Sequence, residues 1–181
     1  MSQTLILLFH PDFSRSRANR ALADAARARS DTEIVDVQAL YPDGLIDIDC
    51  EVARLLKADS IVFQFPLQWY STPPLLKAWQ DAVLTRMFYI AAETEGAKLA
   101  SKPLLVAVTA GNVQHAYAAD GANLFPLRDL LRPLQATANR CGLAWAEPFL
   151  IYNAHKADDE TLQAAGEHYA NRLGRLGGQA S

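Results

Sequence analysis

Three short segments of the sequence carry residues suited to holding a planar, anionic ligand. The first, HPDFSRSRAN (residues 10–19), combines histidine and arginine with serine and asparagine. The second, PLQWY (66–70), offers two aromatic rings on a backbone that proline stiffens. The third, TAGN (109–112), has small residues that let a ligand approach the backbone closely. Each segment alone also fits an ordinary structural role. In the second segment, for example, Trp69 and Tyr70 are residue types that commonly pack in cores or interfaces.

The first segment leads into a predicted helix. Free backbone N–H groups and the helix dipole favour a phosphate at such a helix start. Ser16 and Asn19 can add hydrogen bonds, and His10 or Arg17 can add positive charge. Alternatively, a serine of this segment only caps the helix and the arginines are solvated. The chain has no GxxxxGK[ST] motif, which argues against a nucleoside triphosphate held by a P-loop.

The elements that must position these segments alternate between strand and helix patterns, which predicts a parallel α/β sheet. A flavodoxin-like strand order 2-1-3-4-5 fits five strands, whereas a half-Rossmann sheet would carry a GxGxxG motif that is absent. The predicted strands cover residues 4–9, 33–40, 60–67, 103–110 and 143–153, the last with a proline interruption. The predicted helices cover residues 14–29, 50–58, 74–88, 126–141 and 158–176.

The three segments follow the first, third and fourth predicted strands. Ligands of doubly wound sheets bind at the carboxyl ends of the strands, where the winding direction switches. We therefore expect the three segments to meet at one crevice. The first segment is suited to a phosphate, the second to a planar ring, and the third to close approach of a ligand to the backbone. Together around one crevice, these features indicate a ligand like flavin mononucleotide.

Composition excludes several other classes of function. The formal net charge of -3 over 181 residues argues against a nucleic-acid-binding surface. Cys50 and Cys141 form no CxxC pair, so neither a disulfide scaffold nor a metal site is predicted. No apolar stretch approaches the roughly 20 residues that span a bilayer, so no membrane insertion is expected. We expect a single soluble domain over residues 1–181, located in the cytoplasm.

The segments in combination resemble the flavodoxin-like NAD(P)H:quinone oxidoreductases, a family that includes the ancillary flavoproteins of glutathione-gated potassium efflux systems. The resemblance covers nearly the whole chain and is most specific from PLQWY to LKAW (66–79). It implies a three-layer α/β sandwich whose five-stranded parallel sheet has the order 2-1-3-4-5. It also implies FMN as cofactor, with FAD as the alternative, NAD(P)H as co-substrate, and a homodimer.

The resemblance assigns roles to individual residues. The flavin phosphate and ribityl chain would contact His10, Ser16, Arg17, Ala18 and Asn19. The isoalloxazine ring, with backbone amides on its polar edge, would contact Pro66, Leu67, Gln68, Trp69 and Tyr70. The pyrimidine end would contact Thr109, Ala110, Gly111 and Asn112, and the catalytic residue that helps stabilise charge would be Tyr117.

The chain departs from the family pattern at several of these positions. Relatives commonly have TTGG where Ala110 and Asn112 alter the motif here, which puts the fit at the flavin edge in doubt. Asn123 stands where some relatives have a histidine, and it cannot take up a proton as imidazole does. Where the family has the motif GFAYG, this chain has MFYI at residues 87–90. The resemblance places this segment above the substrate, so the change puts the shape of the substrate site in doubt.

The implied activity is a two-electron, ping-pong transfer of hydride from NAD(P)H through flavin to a quinone. The alternative is a regulatory role, in which the protein docks on a potassium efflux antiporter and so lies peripherally at the inner membrane. An electron-transfer flavodoxin fits less well, because those proteins are usually far more acidic. A flavin-free interaction domain would leave the convergence of the three segments unexplained.

Overall fold

A parallel β-sheet forms the centre of the computed structural model, which describes residues 3–177. The strand order is β2-β1-β3-β4-β5, and β6 pairs with β4 beyond the end of β5. The predicted order is therefore confirmed, with the fifth predicted strand divided into two short ones. The strands are β1 (Thr4–Leu8), β2 (Thr32–Asp36), β3 (Ser60–Pro66), β4 (Pro103–Thr109), β5 (Ala144–Trp145) and β6 (Phe149–Ile151).

The burial of the strands follows from their sequences. All residues of β1 and β4 are buried, as expected for continuous apolar runs that helices cover on both faces. In contrast, β2 lies at the edge of the sheet and buries only Val35. Pro148 lies between β5 and β6 and lacks the N–H that a continuous strand would need, which explains the predicted interruption.

Helices pack on both faces of the sheet and make three layers. On one face α1 and α7 enclose a core that includes Leu22, Val62 and Tyr169. On the other face α3, α4 and α6 enclose a core that includes Phe9 and Trp79. The helices are α1 (Ala18–Arg27), α2 (Val37–Leu40), α3 (Ile48–Lys57), α4 (Pro74–Trp79), α5 (Leu127–Leu130), α6 (Arg132–Arg140) and α7 (Asp159–Gly177).

The helix predicted over residues 14–29 is shorter than expected. Residues 13–15 form a separate 3-10 turn, and Ser16 adopts an extended conformation that breaks the helical path. The hydroxyl of Ser16 then accepts the backbone N–H of Asn19 at 3.2 Å, so this side chain acts as a cap for α1. The true start of α1 therefore lies within the segment proposed to hold the phosphate.

Two further predicted elements were wrong in extent. The strand predicted over 33–40 stops at Asp36, whose carboxylate accepts the N–H of Ala39 and caps the short helix α2. The helix predicted over 126–141 breaks at Leu131 into α5 and α6. Pro133 favours that break, since proline fits the first turn of a helix and not its interior.

The helix predicted from the double proline continues further than expected. It begins as α4 at Pro74 and extends through two π-helical turns over 80–84 and 86–90. The far end of this helix leaves Tyr89 and Ile90 exposed.

Lys102, which immediately precedes β4, links the sheet to the C-terminal end of α3. Its ammonium group donates to the carbonyl oxygens of Leu55, Leu56 and Ala58 at 2.5 to 3.2 Å. These are the last carbonyls of α3 and the turn after it, which have no acceptor role within the helix. Lys102 therefore closes the C-terminal end of α3.

No helix within residues 3–177 combines the length and the apolar composition that a membrane span requires. The predicted single domain covers residues 1–181, of which residues 1–2 and 178–181 lie outside the described part of the chain. Cys50 is exposed and Cys141 is buried, and both are free thiols.

Candidate active site

The loops after β1, β3, β4 and β6 surround one cleft at the carboxyl edge of the sheet. Its volume is about 420 Å³. The three segments singled out in the sequence meet there, as the strand order requires. The residues that line it are His10, Asp12, Arg15, Ser16, Arg17, Ala18, Asn19, Pro66, Leu67, Thr109, Gly111, Ala154 and His155.

Asn19 fixes the start of α1 against the sheet. Only 1% of this residue is exposed, and its side-chain Nδ2 donates to Thr109 Oγ1 at 2.9 Å. Gln64 on β3 donates to the carbonyl oxygen of Asn19 at 2.9 Å and accepts from the hydroxyl of Tyr169 at 3.2 Å. Because these groups are buried and satisfied, the network holds the first turn of α1 in one position.

The start of α1 offers an anion-binding edge to the cleft. The first N–H groups of a helix have no intrahelical acceptor, and only that of Asn19 is satisfied by Ser16. Arg17 precedes the helix and pairs with Asp159 at 2.6 Å, with both side chains largely exposed. Such an exposed pair contributes little stability, so Arg17 is free to exchange partners for an anion.

His10 lies half-buried on the β1 side of the cleft. Its Nδ1 accepts the backbone N–H of Asp12 at 3.1 Å, so in the neutral ring Nε2 carries the proton. Burial lowers the pKa of His10, and the nearby His155 lowers it further, whereas Asp12 and Asp36 oppose that shift. The ring is thus a neutral hydrogen-bond donor near neutral pH.

The loop after β3 holds two aromatic residues in an uncommon conformation. Gln68 and Ser71 exchange two backbone hydrogen bonds of 2.9 Å, which closes a tight turn. Trp69 and Tyr70 occupy its centre with φ of 45° and 63°. Bulky side chains rarely adopt positive φ, and the ring of Trp69 is 93% exposed, so packing does not explain the strain.

The same turn decides which backbone amides can meet a ligand. The N–H of Leu67 donates to the carbonyl of Thr109 at 2.8 Å, and that of Gln68 donates to Ser71. Within the described residues, the N–H groups of Trp69 and Tyr70 donate to no protein acceptor. Of the backbone amides expected to contact a ligand along this loop, only those of Trp69 and Tyr70 are therefore available.

The loop after β4 is fixed to the loop after β6. Ala110 donates to the carbonyl of Ile151 at 2.7 Å and accepts from the N–H of Ala154 at 3.0 Å. The N–H of Asn153 donates to the carbonyl of Asn112 at 2.8 Å. Because these bonds hold both loops, the altered motif at Ala110 and Asn112 retains a defined backbone.

Tyr117 lies beside the cleft in a small apolar cluster. It is buried, it packs with Ala110 and Leu127, and its ring centre is 5.7 Å from that of Tyr152. Burial raises the pKa of the Tyr117 phenol, and the neighbouring Tyr70 and Tyr152 add to that shift. The phenol therefore stays protonated and can act as a hydrogen-bond donor.

The proposed site residues divide by position. Those that line the cleft are His10, Ser16, Arg17, Ala18, Asn19, Pro66, Leu67, Thr109 and Gly111. Those outside its lining are Gln68, Trp69, Tyr70, Ala110, Asn112 and Tyr117. Asn123, where some relatives have histidine, accepts a 3.3 Å hydrogen bond from the hydroxyl of Tyr70. It therefore connects the aromatic turn to the loop that carries Tyr117.

Four residues of the lining were not predicted from the sequence. Asp12 and Arg15 belong to the first segment but were given no role. Ala154 and His155 follow the fifth strand, whose loop was not considered. The rule that ligands meet the carboxyl ends of strands would have identified this loop as well.

The cleft suits a phosphate-bearing ligand with a planar ring, such as a flavin. The start of α1 offers N–H groups to a phosphate, and the tight turn next to the cleft carries two amides without a protein acceptor among the described residues. At the wall between them, a β-carbon on Gly111 would lie 3.1 Å from Cδ2 of His155, so a side chain would crowd this position. The described residues contain no group of three or more His, Cys, Asp or Glu able to hold a metal ion.

Comparisons with known proteins agree with this architecture. A model of the flavodoxin-like fold family matches residues 2–173. The glutathione-regulated potassium-efflux system ancillary protein KefF of Citrobacter koseri is 44% identical over 170 residues, 93% of this chain and 94% of that protein. A general stress protein 14 from Treponema denticola, solved in complex with FMN, has a TM-score of 0.88 and 34% identity, covering 96% of this chain and 99% of its own.

A third similar protein is an NADPH-quinone reductase from P. pentosaceus. Its structure has a TM-score of 0.81 and 27% identity, covering 94% of this chain and 96% of its own. The family model and these relatives extend over almost the whole chain. The protein therefore belongs to the flavodoxin-like fold family, with relatives that include quinone reductases and potassium-efflux ancillary proteins.

Proposed function

We propose that the protein is a flavin-dependent NAD(P)H:quinone oxidoreductase built as a single flavin-binding domain. The observation that carries this proposal is the meeting of three loops at one cleft, whose lining includes the start of α1. On the adjoining aromatic turn, the amides of Trp69 and Tyr70 have no acceptor within the described residues. The similarity to an NADPH-quinone reductase and to an FMN-containing protein supports it. The proposed cofactor is FMN.

When bound, the flavin supplies two-electron chemistry, accepting hydride from NAD(P)H and reducing a quinone in a ping-pong sequence. The protein's own residues bind and orient it. In this proposal Ser16, Arg17 and Ala18 hold the phosphate, and Asn19 positions the start of α1. The amides of Trp69 and Tyr70 face the polar edge of the ring.

The remaining residues shape the rest of the site. Pro66, Leu67 and Gln68 carry the loop below the ring, and Thr109 to Asn112 border its pyrimidine end. Tyr117 stays protonated because it is buried, so it can donate a hydrogen bond where negative charge develops. Removing one such donor typically lowers a rate by about 100-fold to 1,000-fold.

We also propose a homodimer. Exposed apolar side chains lie in the aromatic turn, at the end of the long helix and at residues 124–125, and in this proposal they form one contiguous patch that a second copy of the chain covers. The residues are Trp69, Tyr70, Tyr89, Ile90, Leu124 and Phe125. Sedimentation of the purified protein tests this assembly, with a monomer as the contrary result.

A regulatory role is the second candidate, because KefF at 44% identity is an ancillary protein of a potassium efflux system. In that role the protein would dock on an antiporter at the inner membrane. Co-purification with such an antiporter, together with efflux that depends on the protein, would favour this role. Both roles use the same flavin cleft.

The deciding experiment is an anaerobic titration of the purified protein. We expect a yellow protein that bleaches with NADPH or NADH and recovers its colour when a quinone is added. Tyr117→Phe should slow recovery of the colour without weakening FMN binding, whereas the exposed Tyr89→Phe should change neither. A protein that binds neither FMN nor FAD would contradict the proposed function.

A further inference from the structure

His155 lines the cleft from the loop after β6, which leads into α7. Its backbone is held from both sides. The preceding Ala154 donates to Ala110, and Asn153 accepts the N–H groups of Lys156 and Ala157 at 2.9 Å. The side chain is exposed, so its position follows from this fixed backbone and not from packing within the core.

The imidazole of His155 lies directly over Gly111. A β-carbon at position 111 would come within 3.1 Å of Cδ2 and 3.3 Å of Nε2. The Cδ2–Nε2 edge of the ring therefore faces Gly111, which also lines the cleft. A side chain at position 111 would therefore push the imidazole by a few tenths of an ångström, whereas the backbone itself sets no demand for glycine because its φ is not positive.

His10 lies near enough to His155 for the two rings to influence each other. The presence of His155 lowers the pKa of His10, in the same direction as burial. Nε2 of His10 carries a proton in the neutral ring, because Nδ1 is used as an acceptor. Two imidazole rings thus face one cleft, from the loop after β1 and from the loop after β6.

Charged groups of both signs surround the cleft. Arg15 and Arg17 line it, and they pair with Asp12 at 3.9 Å and with Asp159 on α7 at 2.6 Å. Asp36 acts on His10 from the end of β2. What favours an anion here is the partial positive charge of the helix start, together with two arginines whose exposed ion pairs contribute little stability.

We propose that His155 is a phosphate-recognition residue, which donates a hydrogen bond to the flavin phosphate from the loop after β6. The phosphate is then held by the start of α1, by His10 and by His155. This inference rests on the proposed flavin-binding function. A terminal phosphate monoester carries nearly two charges, whereas each phosphate of a diphosphate carries one, so His155 favours FMN over FAD.

The test compares ligands that differ only in the phosphate. Dissociation constants for FMN and riboflavin are measured by flavin fluorescence on the flavin-free full-length protein. We expect His155→Ala to weaken FMN about tenfold, as for one charge-assisted hydrogen bond, and to change riboflavin less than twofold. His155→Gln retains an N–H donor and should recover part of the FMN affinity.

His168→Ala, on the exposed face of α7, is the matched control and should leave both constants unchanged. Equal weakening of FMN and riboflavin would overturn the inference, because His155 would then only support the loop. An unchanged FMN constant would overturn it as well. A wild-type protein that binds neither flavin would instead contradict the proposed function itself.

Discussion

The side-chain amide of Asn19 donates a 2.9 Å hydrogen bond to the hydroxyl of Thr109, and both residues are buried. This bond joins the first turn of α1 to the last residue of β4. Two walls of the cleft are thereby held at a fixed separation, the one that offers helix N–H groups and the one that begins the TAGN segment. Positioning of the site thus depends on a contact within the core.

Loss of this bond should destabilise the protein. Thr109→Val keeps the shape of the side chain but leaves the amide of Asn19 without its acceptor, and a buried unsatisfied donor costs about 1–3 kcal/mol. Urea denaturation of the flavin-free protein measures the change. Thr85→Val, at an exposed position, is the control. Equal free energies of unfolding for the two variants would contradict the role given to Thr109.

The strained turn should gain stability when Trp69 is replaced. Asparagine tolerates positive φ better than tryptophan, and the exposed ring loses little packing, so Trp69→Asn should stabilise the protein by about 0.5–1 kcal/mol. The same change removes a ring from the proposed flavin site and should slow quinone reduction. Thermal unfolding and steady-state assays measure these two effects.

Tyr89→Asn removes another exposed aromatic ring, this one from a helical backbone, and serves as the comparison. It should not stabilise the protein. A Trp69→Asn variant that unfolds at a lower temperature than the wild type would show that the turn stores no strain.

The lowered pKa of His10 should make stability depend on pH. The folded state binds the His10 proton less readily than the unfolded state, whose pKa is about 6.5. Stability is therefore lost as the pH falls below that value. His10→Asn keeps an acceptor for the N–H of Asp12 without the titrating ring. The free energy of unfolding of the wild type should decline relative to this variant between about pH 7.5 and about pH 5.5.

Binding of FMN should reverse that trend, since a nearby phosphate raises the pKa of an imidazole. An NMR titration of His10 with and without FMN measures both values. Parallel pH profiles for the wild type and His10→Asn would contradict the burial of this ring.

Gly111 and His155 should act as one unit in FMN binding. The β-carbon of Gly111→Ala would push the imidazole by a few tenths of an ångström, so this variant should lose part of the FMN affinity that His155→Ala loses. The double variant should then be little weaker than His155→Ala alone, because both changes act on the same interaction. If the losses of FMN affinity in the single variants add up in the double variant, the two residues contribute to FMN binding independently. FMN dissociation constants measure these losses.

Replacement of Lys102 should lower the stability of the protein without changing its affinity for FMN. Lys102→Met leaves three carbonyl groups at the end of α3 without their donor and should cost about 1–3 kcal/mol of stability. The exposed Lys98→Met is the control and should unfold like the wild type. FMN affinity should be unchanged in both. A loss of FMN affinity with Lys102→Met would indicate coupling between α3 and the cleft.

The sequence alone was enough to predict the sheet and the location of the cleft. Apolar runs such as that of β1 can only be buried between two helical layers, and right-handed crossovers then limit the strand order. Once the order is known, loops that are distant in the chain must meet at the carboxyl edge. The sequence therefore predicts that the segments at 10–19, 66–70 and 109–112 lie close together.

Tertiary structure decided which atoms face the cleft. The network of Asn19 with Gln64 and Thr109 depends on side chains up to 90 positions apart, and no local pattern encodes such a contact. The positive φ of Trp69 and Tyr70 contradicts their local preference, because the surrounding loop closes the turn. The place of His155 over Gly111 likewise arises where two loops meet, so its position depends on packing between segments and not on the sequence of either one.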